Sequence, residues 1–298
     1  MLNQKYVRTL LVGGILCLLM ISCKEKKDSR VVIQQKLTPL HKLKEQPMPG
    51  EWLAEHKETY QSFETYVNKK PTRLDGGRDK IYIMRIGTFS PAELQIVSKA
   101  ARYLWLFYGL QVKYVSVPEN ANFLKDSRER EDTGIQLSAS LILNDVLAPV
   151  LPGDAAVLIA FTTYDLYPRP DWNYVFGLAS LKKRVGVWSI NRFGCADNPK
   201  EFDQVFQRTI RTATHEIGHM FSIRHCVKYE CCMNGSNNKY EMDGRPTYFC
   251  PECLRKLCWN LKQDEKQHLT RVRSFWINEK NYELIGFYDR SIKAISED

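Results

Sequence analysis

Apolar positions along the first eighty residues fall into two unlike blocks. Thr9 to Ile21 is one apolar run that follows Lys5 and Arg8. It is shorter than the about 20 residues of a membrane span and matches the core of a secretory signal. Between Glu51 and Asn68, Trp52, Tyr60, Phe63 and Tyr66 recur among charges, and this spacing predicts a helix. The polar, basic stretch between them, with Pro39, Pro47 and Pro49, reads as a linker over residues 23–50.

Beyond residue 80 the pattern alternates between strand and helix. Ile81–Ile86 is compact and β-branched, which predicts a strand. Ser90-Pro91-Ala92-Glu93 combines an N-cap, a proline at the first helical position and a glutamate three residues after the cap. The helix it starts is expected to reach Tyr108 and stop at Gly109. Gln111–Val117 is the next strand, and Ser138–Leu147 a helix ending before Pro149. Ala155–Phe161 is uniformly apolar, as in a buried strand. Phe176–Ser180 and Val185–Asn191 read as two strands joined by a basic turn, Leu181 to Arg184. A long helix over Phe202–His219 follows. Interleaved strands and helices predict an α/β (α+β) fold, a mixed sheet with helices packed on it.

Composition adds little to that picture. The chain has 298 residues, 44% hydrophobic and 26% charged, values of an ordinary globular protein. Residues 51–298 are expected to form one folded domain with a substantial core. The net charge is +9, but much of the excess sits in Lys24, Lys26, Lys27, Arg30, Lys36, Lys42 and Lys44. A solvated basic segment explains it, and no nucleic-acid partner is expected.

The apolar leader ends in Leu19-Met20-Ile21-Ser22-Cys23. A small residue directly before a cysteine there resembles the lipobox of bacterial lipoproteins. That resemblance implies a signal peptide over residues 1–22, a lipid on Cys23, and an exported enzyme tethered to the membrane of a bacterial cell envelope. A cleaved signal with an incidental cysteine, or an uncleaved anchor, is the alternative.

The candidate chemistry lies in His215-Glu216-Ile217-Gly218-His219-Met220-Phe221-Ser222-Ile223-Arg224-His225. Helical positions four apart share a face, so His215 and His219 point two imidazoles at one ion. Glu216 flanks that ion, where a general base takes a proton from the attacking water. The chain must turn near Ser222 for His225 to become a third ligand. Three of only six histidines fall in this segment, which argues against chance spacing.

Six of the nine cysteines crowd into residues 226–258. Cys226, Cys231, Cys250 and Cys253, closed by a Cys-x-x-Cys pair, fit a tetrahedral structural zinc site. Two disulfides are the alternative. Cys232 and Cys258 are rival ligands or free thiols, and Cys195 is expected to be a buried apolar residue.

With these residues the chain resembles the archaemetzincins, a family of metzincin zinc peptidases. The match runs through His215, Glu216, His219, His225, Cys226, Cys231, Met233, Cys250 and Cys253. It extends to Asn234-Gly235, Glu241, Asp243 and Lys256-Leu257, and upstream to Val175–Ala179 and Val187–Ile190. About residues 80–260 take part. The resemblance implies a zincin-like fold: a twisted mixed sheet, an active-site helix beneath it and a small C-terminal zinc-binding subdomain. It also implies two zinc ions, one catalytic and one structural, a peptide or protein substrate, and Met233 as the Met-turn under the zinc histidines. One position departs from the family: Ser222 stands where glycine is usual, and a non-glycine residue there is strained if the turn needs positive φ. An amidase acting on non-peptide amides and a zinc-stabilised binding lipoprotein are the rival functions.

Overall fold

The computed structural model describes residues 29–74 and 76–297. The expected signal segment 1–22 and Cys23 lie outside them. The helices are α1 (Ser29–Leu37), α2 (Trp52–Glu55), α3 (Phe63–Asn68), α4 (Pro91–Tyr108), α5 (Ala139–Leu141), α6 (Phe202–Met220), α7 (Lys239–Gly244), α8 (Pro251–Leu261), α9 (Glu265–Asn278) and α10 (Tyr282–Ser296). The strands are β1 (Lys80–Ile86), β2 (Gln111–Tyr114), β3 (Arg128–Arg130), β4 (Gly134–Ser138), β5 (Ala155–Thr162), β6 (Asp165–Tyr167), β7 (Gly177–Ser180) and β8 (Val185–Ser189).

Five strands form the main sheet in the order β2-β1-β5-β8-β7. All its pairings are parallel except β7 with β8, so the sheet is mixed, as expected. β5 is buried along its whole length, because both faces of the sheet are covered. Alternate residues serve the two faces. Ile81, Ile83, Val157, Ile159 and Phe161 join the core shared with α4 and α6. Met84, Ile86, Leu158 and Ala160 pack instead against Leu137 and Ile142–Leu147. β3, β4 and β6 make a second, three-stranded sheet.

Local signals set several boundaries. Ser90 and Glu93 form a reciprocal capping box at the start of α4, and Gly109 closes it in the left-handed region at φ 63°. The tail of the expected 138–147 helix is wound as a π-helix over Ile142–Leu147. Two stretches differ more. The helix expected over 51–68 is broken into α2 and α3, with no regular structure over residues 57–62 between them. The break occurs because this segment is spent on tertiary bonds: Gln61 donates to the Ser222 carbonyl at 3.1 Å and accepts from the Arg224 N–H at 3.1 Å. The stretch expected as a linker is folded onto the domain from Ser29 onward. Arg30 pairs with Glu265 at 2.5 Å, Gln34 bonds Glu252 at 2.6 Å, and Leu43 bridges to Tyr229. Leu37 supplies the apolar anchor, 1% exposed.

Candidate active site and metal centres

α6 carries the first two histidines and ends where the third must return. Phe221 caps the helix, the Ser222 N–H donates to the His219 carbonyl at 2.7 Å, and the Ile223 N–H donates to the Gly218 carbonyl at 3.1 Å. These are the two bonds of a Schellman ending, with Ser222 as its left-handed residue at φ 65°. The positive φ inferred from the motif is therefore present. Its cost to serine is about 1–2 kcal/mol. The hydroxyl accounts for its tolerance: it accepts from the Thr72 N–H at 3.0 Å, a bond worth about 1 kcal/mol. Ser222→Gly is expected to shift stability by less than about 1 kcal/mol and to leave metal affinity within roughly threefold. Thermal unfolding and metal titration check this, and a clear loss of metal affinity would show that the hydroxyl, not φ, holds the turn.

His215, His219 and His225 converge, with their candidate ligand nitrogens within 4.8 Å of one another. Each Nδ1 faces an acceptor: the Cys232 carbonyl for His215 at 2.9 Å, the Ile223 carbonyl for His219 at 2.7 Å, and Glu58 Oε1 for His225 at 2.7 Å. A carbonyl only accepts, so these Nδ1 atoms of His215 and His219 hold the protons and the Nε2 atoms are bare. The two bare Nε2 atoms then lie 2.9 Å apart with lone pairs toward each other. A cation shared between them resolves that repulsion, so the donor set fits zinc. Burial depresses the pKa of His215 well below the usual value and that of His219 to about 4, which keeps both neutral, as ligands must be.

Glu216 points into a cleft of about 600 Å³ that also exposes the three histidines. Burial in this recess pushes its carboxyl up to about 7, against the opposing pull of His225 and Arg245. The edge strand β7 lines the same cleft through Gly177, Leu178 and Ala179.

Met233 is fully buried beneath α6. A Cβ on Gly218 would lie 2.5 Å from its sulfur, so the glycine of the motif is what lets Met233 close under the histidines. The Met233 carbonyl accepts from the Cys226 N–H at 2.8 Å.

Cys226, Cys231, Cys250 and Cys253 form the second cluster, all four buried, with their sulfurs within 4.8 Å of one another. The Cys226 and Cys250 sulfurs are 3.6 Å apart. That is far beyond the about 2.05 Å of a disulfide and close to the about 3.8 Å edge of a ZnS4 tetrahedron. Backbone N–H groups of Met233 and Cys250 point at the Cys231 sulfur, 3.4 and 3.2 Å away. Hydrogen bonds from Cys231, Cys250 and Cys253 hold the Cys226 thiol well below its usual range, while burial raises Cys231 and Cys250. Four converging sulfurs, with Cys226 held toward its thiolate and backbone donors aimed at Cys231, fit a bound cation. Cys232 and Cys258 are buried but stand outside this group. Cys195 is exposed, contrary to expectation, because it sits in the loop between β8 and α6, where its N–H caps onto Glu201.

Three residues of the site carry no recognisable local pattern: Trp52, Glu58 and Arg245. Glu58 accepts both from His225 Nδ1 and from the Trp52 indole at 3.0 Å. The Trp52 ring stands edge-on to His225, 5.1 Å away, and walls the cleft. Glu58→Gln is expected to weaken metal binding about tenfold or more, as losses of such outer partners do. Competition with a metallochromic chelator measures it.

A family model for peptidase family M54 matches residues 154–258. The archaemetzincin-2 of Pongo abelii is 35% identical over 277 residues, covering 80% of this chain and 75% of that one. The archaemetzincin-2 of Macaca fascicularis is 34% identical over 247 residues, 70% and 67% of the two chains. The crystal structure of archaemetzincin from Methanopyrus kandleri superposes with a TM-score of 0.50 at 27% identity, covering 64% of this chain and 99% of that one. Site and relatives together define the class: a zinc metallopeptidase. The chain belongs to the archaemetzincin family, with its zincin-like fold.

Proposed function

We propose that this chain hydrolyses peptide bonds at the three-histidine centre, with Glu216 as general base, and that it holds two zinc ions, one there and one in the four-cysteine cluster. The observation that carries the reading is the convergence of three histidines, each with its Nδ1 engaged, beside a carboxylate in an open cleft. Zinc, when bound, supplies a Lewis acid that polarises the scissile carbonyl and acidifies water. His215, His219 and His225 would hold it. Glu216 Oε accepts the proton of the attacking water and delivers it to the leaving amine. Among the described residues β7 is an edge of the main sheet, and that edge suits an extended peptide added as a further strand. Met233 and Cys226 fix the floor beneath the histidines.

Elemental analysis of the purified protein is expected to find two zinc ions per chain; one or none would remove a site from this account. Matched peptides and non-peptide amides then separate peptidase from amidase, and turnover of the amides alone would overturn the substrate assignment. Lipid attachment at Cys23 is supported by the lipobox-like leader alone. Mass measurement of the mature N-terminal peptide tests it, and an unacylated Cys23 would refute it.

A further inference from the structure

Arg245 is a cleft residue that the proposed reaction leaves unused. It follows α7 and is 5% exposed, and its side chain lines the cleft with Thr212, Glu216 and Met242. A guanidinium carries five N–H donors and a permanent charge. Here Nη1 donates to the Asn234 carbonyl, while Nε is buried with no hydrogen-bond partner. Arg192 and Arg208 are paired, with Asp165 and Asp243 respectively. Arg245 has no carboxylate partner among the described residues.

The nearby acids are committed elsewhere. Glu241 accepts the Trp52 N–H at 3.0 Å and the Asn237 N–H at 2.8 Å. Asp243 holds Arg208. Glu216 is the base. Arg211 adds a second positive charge behind, its Nε donating to the Arg245 carbonyl at 2.7 Å. The cleft lining includes apolar Phe176, Leu178, Ala179 and Leu181, and Arg245 is the only arginine or lysine among the described lining residues. A buried guanidinium without a counter-ion is unfavourable unless an anion joins it. A carboxylate suits its fork geometry, and the cleft that Arg245 lines has a volume of about 600 Å³.

We propose that Arg245 determines specificity by taking a substrate carboxylate in the recess beside Glu216. The substrates are then peptides with an anion flanking the scissile bond, either an Asp or Glu side chain or a free C-terminal carboxylate. This rests on the peptidase reading and narrows its substrate class. Arg245 is not itself placed on the reacting atoms. Its Nη1 also lies 3.2 Å from His215 Nδ1, so a purely structural role would alter metal binding and all substrates alike. Selectivity between matched substrates separates the two roles.

The test uses the zinc-loaded full chain carrying Glu216→Gln, which binds without turnover. Calorimetry compares three short peptides of one sequence: internal Glu with an amidated end, internal Gln with an amidated end, and internal Gln with a free carboxylate. At least one anionic peptide is expected to bind about tenfold or more tighter than the neutral one. Which of the two does so identifies the source of the carboxylate. Adding Arg245→Gln should bring the ratio to within roughly twofold of unity. Arg245→Lys, which keeps the charge but not the fork, should reduce the ratio without erasing it, and it serves if the Gln variant does not fold. Equal binding of all three peptides, or a preference untouched by both substitutions, overturns the proposal and leaves the peptidase reading standing. Failure of every peptide to bind overturns both.

Discussion

Glu216→Gln is expected to lower kcat/KM for a cleaved peptide by about a thousandfold while both metal ions stay bound. The carboxylate is not among the converging ligands, so its loss removes a proton acceptor and not a metal donor. Glutamine keeps the shape of the side chain and cannot take the proton. Steady-state kinetics with metal analysis on the same samples measures both halves of the expectation, and retained activity would sink the mechanism. The pH dependence adds a second reading. A general base works when ionised, so the rate of the unsubstituted enzyme falls as pH drops through the carboxyl pKa. Burial places that pKa at about 7, and the charge of a bound cation moves it lower. The acid limb should therefore lie at or below about 7, and the component due to Glu216 should vanish in the glutamine variant.

Cys253→Ser should cost the protein its fold along with one metal ion. Binding of a structural zinc is worth about 10–16 kcal/mol in small domains, as much as the whole stability of about 5–15 kcal/mol for a typical domain. The four sulfurs lie inside the main core, not at its margin. Removing one ligand leaves three buried thiols with a poorly held ion. Reversible unfolding by a strong chelator, with recovery on adding zinc, should mimic the substitution. Cys258→Ala is the control, since Cys258 is equally buried but outside the cluster. It should lose only about 1–2 kcal/mol, and thermal melts of the two variants with their zinc content decide the matter. Equal melts would mean that the cysteines fill space and no more.

The parts legible in the sequence were those whose information is local. A four-residue helical spacing places His215 beside His219 whatever the surroundings, and a Cys-x-x-Cys pair presents two sulfurs together. Capping chemistry set α4 to the residue at both ends. Glu58 shows where that logic stops. Aromatic spacing around it mimicked a helix, yet residues 57–61 lie outside any helix and bond instead to Ser222, Arg224 and His225. Nothing within a few residues of Glu58 encodes a partner 167 positions away. Arg245 was hidden for a related reason. It has no carboxylate ion pair among the described residues, and only the assembled cleft reveals that. The basic stretch after residue 28 looked like a linker because its charges outweigh its few anchors. Leu37 and the Arg30–Glu265 pair are enough to dock it.

His225 and Cys226 are consecutive, and Met233 reaches from beneath the histidines to the Cys226 N–H. The two centres are thus joined by a peptide bond and a hydrogen bond, with no flexible span to insulate them. With an ion held at each centre as proposed, any change that one ion makes in the affinity of the other is returned equally in the opposite direction. Each ion would in that sense be an effector of its neighbour.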